Sequence, residues 1–333
     1  MRRQKTITPP RSVPALFGCA LLAGMVGVSS ARAQVLAYED FNYGAGTSIA
    51  GLSGGDSFGW ANPWASSGSG VFFGTNTPGN LSYTDLNSHT LTGQGGSLIV
   101  GSYTPAANTT ATPNRNLPFV GATNTLGSIA AGNLADPGSV WISFMYLRLA
   151  GQPNGLPFVR QSNLGFFRGV TTTGGGGTEI FDVGGPNTSA TVNNNMSVWG
   201  NAGPSGSAPL QSSVSVNSAT PIFVLMHLVV DNTAAADTAY VWFNLADIST
   251  KPADGTATLT DTSVDLSAVN NLRFQAGNGN ANGTNALFQA DELIVGNTFG
   301  DVTTIPTIPE PSTFALVGIS AALLLALRRR AQA

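Results

Sequence analysis

From residue 34 to about residue 300 the hydrophobic positions fall in short runs, each closed by clusters of Gly, Asn, Asp or Pro. No window of about twelve residues keeps a 3.6-residue period with good helix formers, so the spacing predicts strands. The clearest runs cover 97–103, 140–149, 164–170, 179–183, 222–231, 239–245, 271–275 and 287–295. In 222–231 one face carries Ile222, Val224, Met226, Leu228 and Val230, and the other carries Phe223, Leu225 and Val229 with His227 among them. A strand apolar on both faces predicts a central position, covered on both sides. Run 140–149 has the same character, with Trp141, Met145 and Leu147 opposite Ile142, Phe144 and Tyr146. Turn formers at 231–237 predict a hairpin joining 222–231 to 239–245. Eight or more strands without helices predict an all-β fold over residues 34–300, two antiparallel sheets packed as a jelly-roll sandwich.

Composition supports a folded body and removes one class of partner. Hydrophobic residues make up 42% of the 333-residue chain and charged residues 9%, which is apolar surface enough for a large core. Of the 14 basic residues, eight lie in the first 32 positions or at Arg328, Arg329 and Arg330. The six that remain face sixteen acidic residues, so the body is acidic. Nucleic acid is excluded as a partner, because binding phosphates needs clustered Lys and Arg. Cys19, the one cysteine, falls in the N-terminal leader, which leaves the mature chain without disulfide, thiolate metal site or cysteine nucleophile.

Both ends read as targeting segments. Basic residues up to Arg11 precede an apolar run at 13–28, and Ala31-Arg32-Ala33 sets small residues at −3 and −1 before Gln34. This pattern predicts a signal peptide over 1–33, cut after Ala33. At the other end a linker at 301–311 holds Pro309-Glu310-Pro311, and 312–333 carries an apolar run at 314–327 followed by Arg328-Arg329-Arg330. As a helix that run rises about 21 Å, short of the roughly 30 Å hydrocarbon core, which suits a short transmembrane helix in transient residence. The arginines keep their side cytoplasmic and place everything upstream across the inner membrane. The end resembles the PEP-CTERM sorting signal of exosortase substrates in Gram-negative bacteria that make exopolysaccharide. The resemblance implies exosortase as processing enzyme, a cut near Pro309-Glu310-Pro311, and release of the body to the cell surface or medium.

The body is similar to concanavalin A-like and laminin G-like jelly rolls. The similarity rests on Tyr38-Glu39-Asp40-Phe41 with Gly59-Trp60 and Trp64, on Leu228-Val229-Val230-Asp231 followed by Ala239-Tyr240-Val241-Trp242-Phe243-Asn244, and on Asp291-Glu292-Leu293-Ile294-Val295-Gly296. It implies that the first and last strands pair, 38–41 against 287–295.

No catalytic constellation assembles along the sequence. A Ser-His-Asp relay needs an imidazole, and there are only His89, in a polar stretch, and His227, in the most apolar run. Glu39-Asp40 and Asp291-Glu292 are adjacent pairs, so on regular strands each pair points to opposite faces, as rim acids that discourage edge pairing. Asp231, Asn232 and Asp237 supply oxygen donors of the kind calcium uses, and Trp60, Trp64 and Trp199 are the aromatic candidates for stacking on sugars. The expectation is an exported, non-enzymatic surface or matrix protein associated with exopolysaccharide, with no cofactor beyond a calcium ion at most. Two alternatives stay open: a secreted polysaccharide hydrolase or lyase using Glu39 or Glu292, and a structural adhesion protein that self-associates through its strand edges.

Overall fold

A computed structural model describes residues 35–306, apart from 45, 47, 54–56, 68–74, 78, 102–111, 118–124, 150–161, 170–176, 186–194, 201–208, 217–219 and 277–286. The signal-peptide residues Ala31, Ala33 and Gln34, and the sorting residues Pro309, Glu310, Pro311 and Arg328 to Arg330, lie outside the described residues. In chain order the strands are β1 (Val35–Glu39), β2 (Ala65–Ser67), β3 (Thr75–Thr77), β4 (Ser82–Thr84), β5 (Thr90–Thr92), β6 (Ser97–Gly101) and β7 (Thr112–Asn116). Helix α1 (Leu126–Gly132) precedes β8 (Ser139–Arg148), β9 (Ser162–Arg168), β10 (Thr178–Gly185), β11 (Asn195–Gly200) and β12 (Leu210–Ser215). The rest are β13 (Ile222–Val229), β14 (Asp237–Phe243), β15 (Leu259–Val264), β16 (Val269–Ala276), β17 (Leu287–Gly296) and the short helix α2 (Phe299–Val302).

Every run predicted from the hydrophobic pattern is a strand. The strands it missed, such as β7, β12 and β15, are short and rich in Ser, Thr and Asn, so their hydrophobic signal is weak. Helix α1 was not foreseen either. Its signal is local: Thr125 accepts from the Ser128 N–H, and the Ser128 hydroxyl accepts from the Thr125 N–H in return.

Two antiparallel sheets form the sandwich. The first runs β15-β14-β13-β8-β17-β6-β3 and the second β12-β11-β10-β9-β16-β7-β2, while β4 and β5 make a separate hairpin. The expected hairpin is β13 with β14, in register from Val224 opposite Phe243 to Val229 opposite Thr238. The expected closure of the two ends of the domain is also present. β1 lies antiparallel to β17, with Tyr38 opposite Ile294 and Glu39 opposite Leu293. β17 shares that one edge between two partners, pairing β6 through 287–290 and β1 through 293–296.

Between the sheets, Val224, Met226, Ile142 and Phe144 meet Leu164, Phe166, Phe181 and Phe274 in one continuous core. The other face of the first sheet is apolar too, and it is covered in its turn. Trp141, Met145, Phe223 and Leu225 pack under Leu81, Tyr83 and Leu91 of the β4–β5 hairpin, Ile248, and Phe299 and Val302 of α2. Tyr83 stacks on Phe223 at 5.4 Å and donates its hydroxyl to the Leu245 carbonyl, which pins the hairpin to the sheet. Phe274 is fully buried, with ring centroids of Phe41, Trp64, Phe144 and Phe288 all within 6.3 Å. Phe274→Ala is therefore expected to destabilise the fold by about 3–5 kcal/mol, read as a lower denaturant midpoint at unchanged slope.

Candidate functional site

The second sheet differs from the first on its outer face, which is polar. On β16 the core residues Leu272, Phe274 and Ala276 alternate with Asn271, Arg273 and Gln275, which point outward. On β9 Leu164 and Phe166 alternate with Asn163, Gly165 and Phe167. A register shift on β10 between Glu179 and Phe181 re-phases that strand. Glu179 and Asp182, three apart and of opposite parity, thereby share the outer face, a placement that alternation alone would not give. Trp199 on β11 stands directly opposite Asp182.

These side chains form one network. Gln275 Nε2 donates to Glu179 Oε1 at 2.6 Å and reaches Asp182 Oδ1 at 3.5 Å, while Asn163 Nδ2 donates to the same Asp182 oxygen. The Arg273 guanidinium lies 3.8 Å over the Phe167 ring. Burial pushes the Asp182 carboxyl well above the usual carboxylate range, and the neighbouring Glu179 pushes it further. Gly165 makes the crowding possible, since a Cβ there would come within 2.8 Å of both Asp182 Oδ1 and Gln275 Nε2. Asp182 Oδ2, Asn163 Oδ1 and Trp199 Nε1 are buried with no hydrogen-bond partner.

Along its edge this face continues into an open cleft of about 360 Å³, lined by Ser57, Phe58, Trp60, Asn62 and Arg115 among others. Trp60 donates its Nε1 to the Tyr38 carbonyl at 3.0 Å, and the Arg115 guanidinium sits 5.3 Å from its ring. Glu39 closes the floor. It pairs with Arg115 and accepts from Trp64 Nε1, Ser57 Oγ, the Tyr43 hydroxyl and the Phe41 N–H. Asn62 Oδ1 accepts from the Asn116 N–H at 2.8 Å, and Asn271 Nδ2 donates to Asn116 Oδ1 at 2.8 Å, so the cleft joins the polar face through β7.

The sequence candidates separate into different environments. Trp60 lines the cleft, Trp199 lies on the polar face at 2% exposure, and Trp64 is inside the core against Phe41 and Phe274. In the calcium candidate, Asp237 uses both oxygens on the N–H groups of Asp231 and Leu266, and Asp231 accepts from Thr233. Asn232 presents its side-chain oxygen towards Gly127 of α1. His227 does belong to a Ser-His-Asp chain that the sequence could not reveal, because its members are far apart. Nε2 bonds Ser139 Oγ at 3.0 Å and Nδ1 bonds Asp254 Oδ1 at 2.8 Å. The imidazole is also stacked on Trp141 at 4.2 Å and Nε2 lies 3.8 Å from Asp136, so it ties the start of β8 to two loops. His89 bonds Asp85, whose carboxyl is held down at about 2 by the N–H groups of Ile248, His89 and Asn87 together with the His89 ring, against the effect of burial. One expectation is corrected outright: Glu39, Asp40, Asp291 and Glu292 are not rim acids, since all four are buried where β1 meets β17.

Residues 307–330 match the PEP-CTERM protein-sorting motif. The chain therefore carries the signal of an exported protein that exosortase processes and that is anchored transiently through its C-terminal region. Among the described residues no helix is long and apolar enough to cross a membrane. No curated protein matches the sequence. Among solved structures, the chain is similar to an endo-β-1,4-glucuronan lyase from Trichoderma reesei, at 13% identity and TM-score 0.39 over 73% of this chain and 93% of that one. It is similar to a GH131 β-glucanase catalytic domain from Podospora anserina, at 13% identity and TM-score 0.39 over 79% and 95%. It is also similar to basic winged bean lectin, at 16% identity and TM-score 0.37 over 70% and 98%. At these scores the likeness decides nothing about the site.

Because Asp182 holds its proton in the fold, the unfolded chain ionises first as pH rises past about 3.9, and the fold loses stability from there upward. Asp182→Asn keeps a donor for Glu179 and has no charge to bury. Its stability is expected to exceed that of the unaltered protein at pH 8, with the difference closing towards pH 4, as measured by denaturation across pH.

Proposed function

We propose that the sandwich is the polysaccharide-binding, non-enzymatic body of an exported surface or matrix protein, and that a glycan chain lies along the outer face of the second sheet from the Trp60 cleft. The observation that carries this reading is the band of amides, carboxyls and aromatic rings running from β7 across β16, β9 and β10 to β11. At about 4.8 Å per strand the band spans roughly 20 Å, a length suited to an extended chain. The body is acidic, and Arg115 and Arg273 both face carboxylates, so an uncharged polysaccharide suits it better than a polyanion.

A second reading rests on Glu179 and Asp182. Two carboxyl groups on one face, one protonated, are the raw material of glycoside hydrolysis, which uses pairs about 5–9 Å apart. A single assay separates the two readings. The protein is expected to sediment with a neutral polysaccharide, to lose roughly tenfold or more in affinity as Trp60→Ala, and to release no reducing ends. Reducing-end release that disappears in Glu179→Gln would establish the hydrolytic reading, and no retention at any ionic strength would remove the binding one. For the sorting step, mass spectrometry of the termini is expected to find the released form starting at Gln34 and ending close to Pro309, and a membrane form ending at Ala333. Protein from the medium that still carries the Arg328-Arg329-Arg330 tail would overturn it.

A further inference from the structure

We propose that a zinc ion binds between Asp85, His89 and Asp247, stapling the β4–β5 hairpin to the segment that follows β14. The site belongs to the layer that covers the outer face of the first sheet, separate from the glycan face, and it uses none of Asp231, Asn232 and Asp237.

The three residues are brought together by backbone bonds from two parts of the chain. Asp85 follows β4 directly and His89 precedes β5, so they bracket the turn of the hairpin. The Asp85 N–H donates to the His89 carbonyl at 3.0 Å, and Ser88 between them takes a φ of +67°, which keeps the turn tight. His89 Nδ1 then lies 2.9 Å from Asp85 Oδ2. Asp247 arrives from the end of β14. On one side of it the Ala246 carbonyl accepts from the Leu86 N–H at 3.2 Å, and on the other the Ile248 N–H donates to Asp85 Oδ2 at 2.9 Å. Held in this way, Asp247 Oδ1 stands 3.5 Å from the same His89 nitrogen. One ligand atom from each residue falls within 4.8 Å of the other two.

Hydrogen bonding accounts for only part of this arrangement. Nδ1 carries at most one proton, and the bond to Asp85 uses it, yet a second carboxylate oxygen stands beside the same nitrogen. Among the described residues neither acid pairs with a lysine or arginine, so two carboxylates face one imidazole. A cation accounts for both facts. Zinc takes imidazole nitrogen and carboxylate oxygen at about 2.0–2.1 Å, and the corners of such a tetrahedron are about 3.4 Å apart. The two separations from His89 are 2.9 and 3.5 Å. With the ion on Nδ1, the imidazole keeps its proton on Nε2. Each carboxylate is also oriented from behind, Asp85 by the N–H groups of Asn87 and His89, and Asp247 by the Ser249 N–H and hydroxyl. Calcium fits less well, since it takes six or more oxygens and this set has a nitrogen among three ligands. His89 and Ser249 also line a cavity of about 670 Å³, together with Leu91, Phe299 and Thr303. Three protein ligands leave the fourth position of zinc for a water or an oxygen donor held in that cavity.

The test uses the full chain in detergent, without a polyhistidine tag, stripped with EDTA and titrated with zinc chloride. Equimolar zinc in the calorimeter, a melting temperature that rises with zinc and falls back in EDTA, and the visible absorption of four-coordinate cobalt in the cobalt-loaded protein are the expected results. Calcium and magnesium at the same concentration are expected to give no comparable shift, and an equal shift would overturn the choice of ion. His89→Gln and Asp247→Asn should each weaken zinc binding by roughly tenfold or more, while Asp254→Asn, beside the other histidine, should leave it unchanged. Zinc kept in His89→Gln and lost in Asp254→Asn would move the ion to His227 and sink the proposal. The His89 side chain is 46% exposed and that of Asp247 33%, so both stripped variants are expected to melt as folded proteins that zinc no longer stabilises. If one of them fails to fold, the other carries the comparison. A stripped chain that takes up no zinc at submillimolar concentration would end the proposal directly.

Discussion

The structure depends on burying two neighbouring strands, β8 and β13, that are apolar on both faces. One face of each is satisfied by the second sheet, through Ile142, Phe144, Val224 and Met226. The other face, with Trp141, Met145, Phe223 and Leu225, would be left in water by a plain two-layer sandwich. The chain therefore spends the β4–β5 hairpin, the segment around Ile248, and α2 on a third layer. Burying both faces also fixes register, because a slip of one residue would exchange every side chain between the two cores. That constraint carries through β17, the other neighbour of β8, to β1, and so determines where the two ends of the domain meet.

Buried carboxylates show how the fold handles charge within this frame. Glu39 is matched by Arg115 and a ring of donors, and Asp85 by backbone N–H groups and His89. Asp182 meets its surroundings by holding a proton beside Glu179. Asp291 and Glu292 accept from the N–H groups of Leu81 and Gln94, and burial raises both carboxyls, to about 9 and about 7, so they too take up protons more readily than exposed acids. Desolvation is common to all of these sites, and the differences lie in which donor the fold brings close.

The division of labour along the chain is clear in the same terms. The sorting motif at 307–330 concerns delivery and makes no demand on the shape of the sandwich. The sandwich in turn has one apolar outer face that the fold covers with its own segments and one outer face built from polar side chains. The proposed glycan binding rests on that asymmetry, since the second face carries amides, carboxyls and aromatic rings across five strands.

Strand positions, the two-sided burial of β8 and β13, the β13–β14 hairpin and the sorting tail were all legible in the amino-acid order, because each depends on side-chain alternation or on residues adjacent in the chain. The pairing of 38–41 with 287–295 came from resemblance to a family, not from pattern. Short polar strands such as β7 and β12 were not legible, since their place is set by neighbours in the sheet and not by hydrophobic period. Nor were the sites. Alternation split Asp291 from Glu292 and would by itself put Glu179 and Asp182 on opposite faces, and in both cases the ladder is locally irregular. Ser139, His227 and Asp254 became neighbours only through the pairing of β8 with β13 and the path of the following loop. The linear pattern determined which segments must be buried, because hydrophobicity is a property of each residue. Which charged groups are buried together was decided by tertiary structure alone, because bulges and long-range pairing set distances that no local spacing encodes.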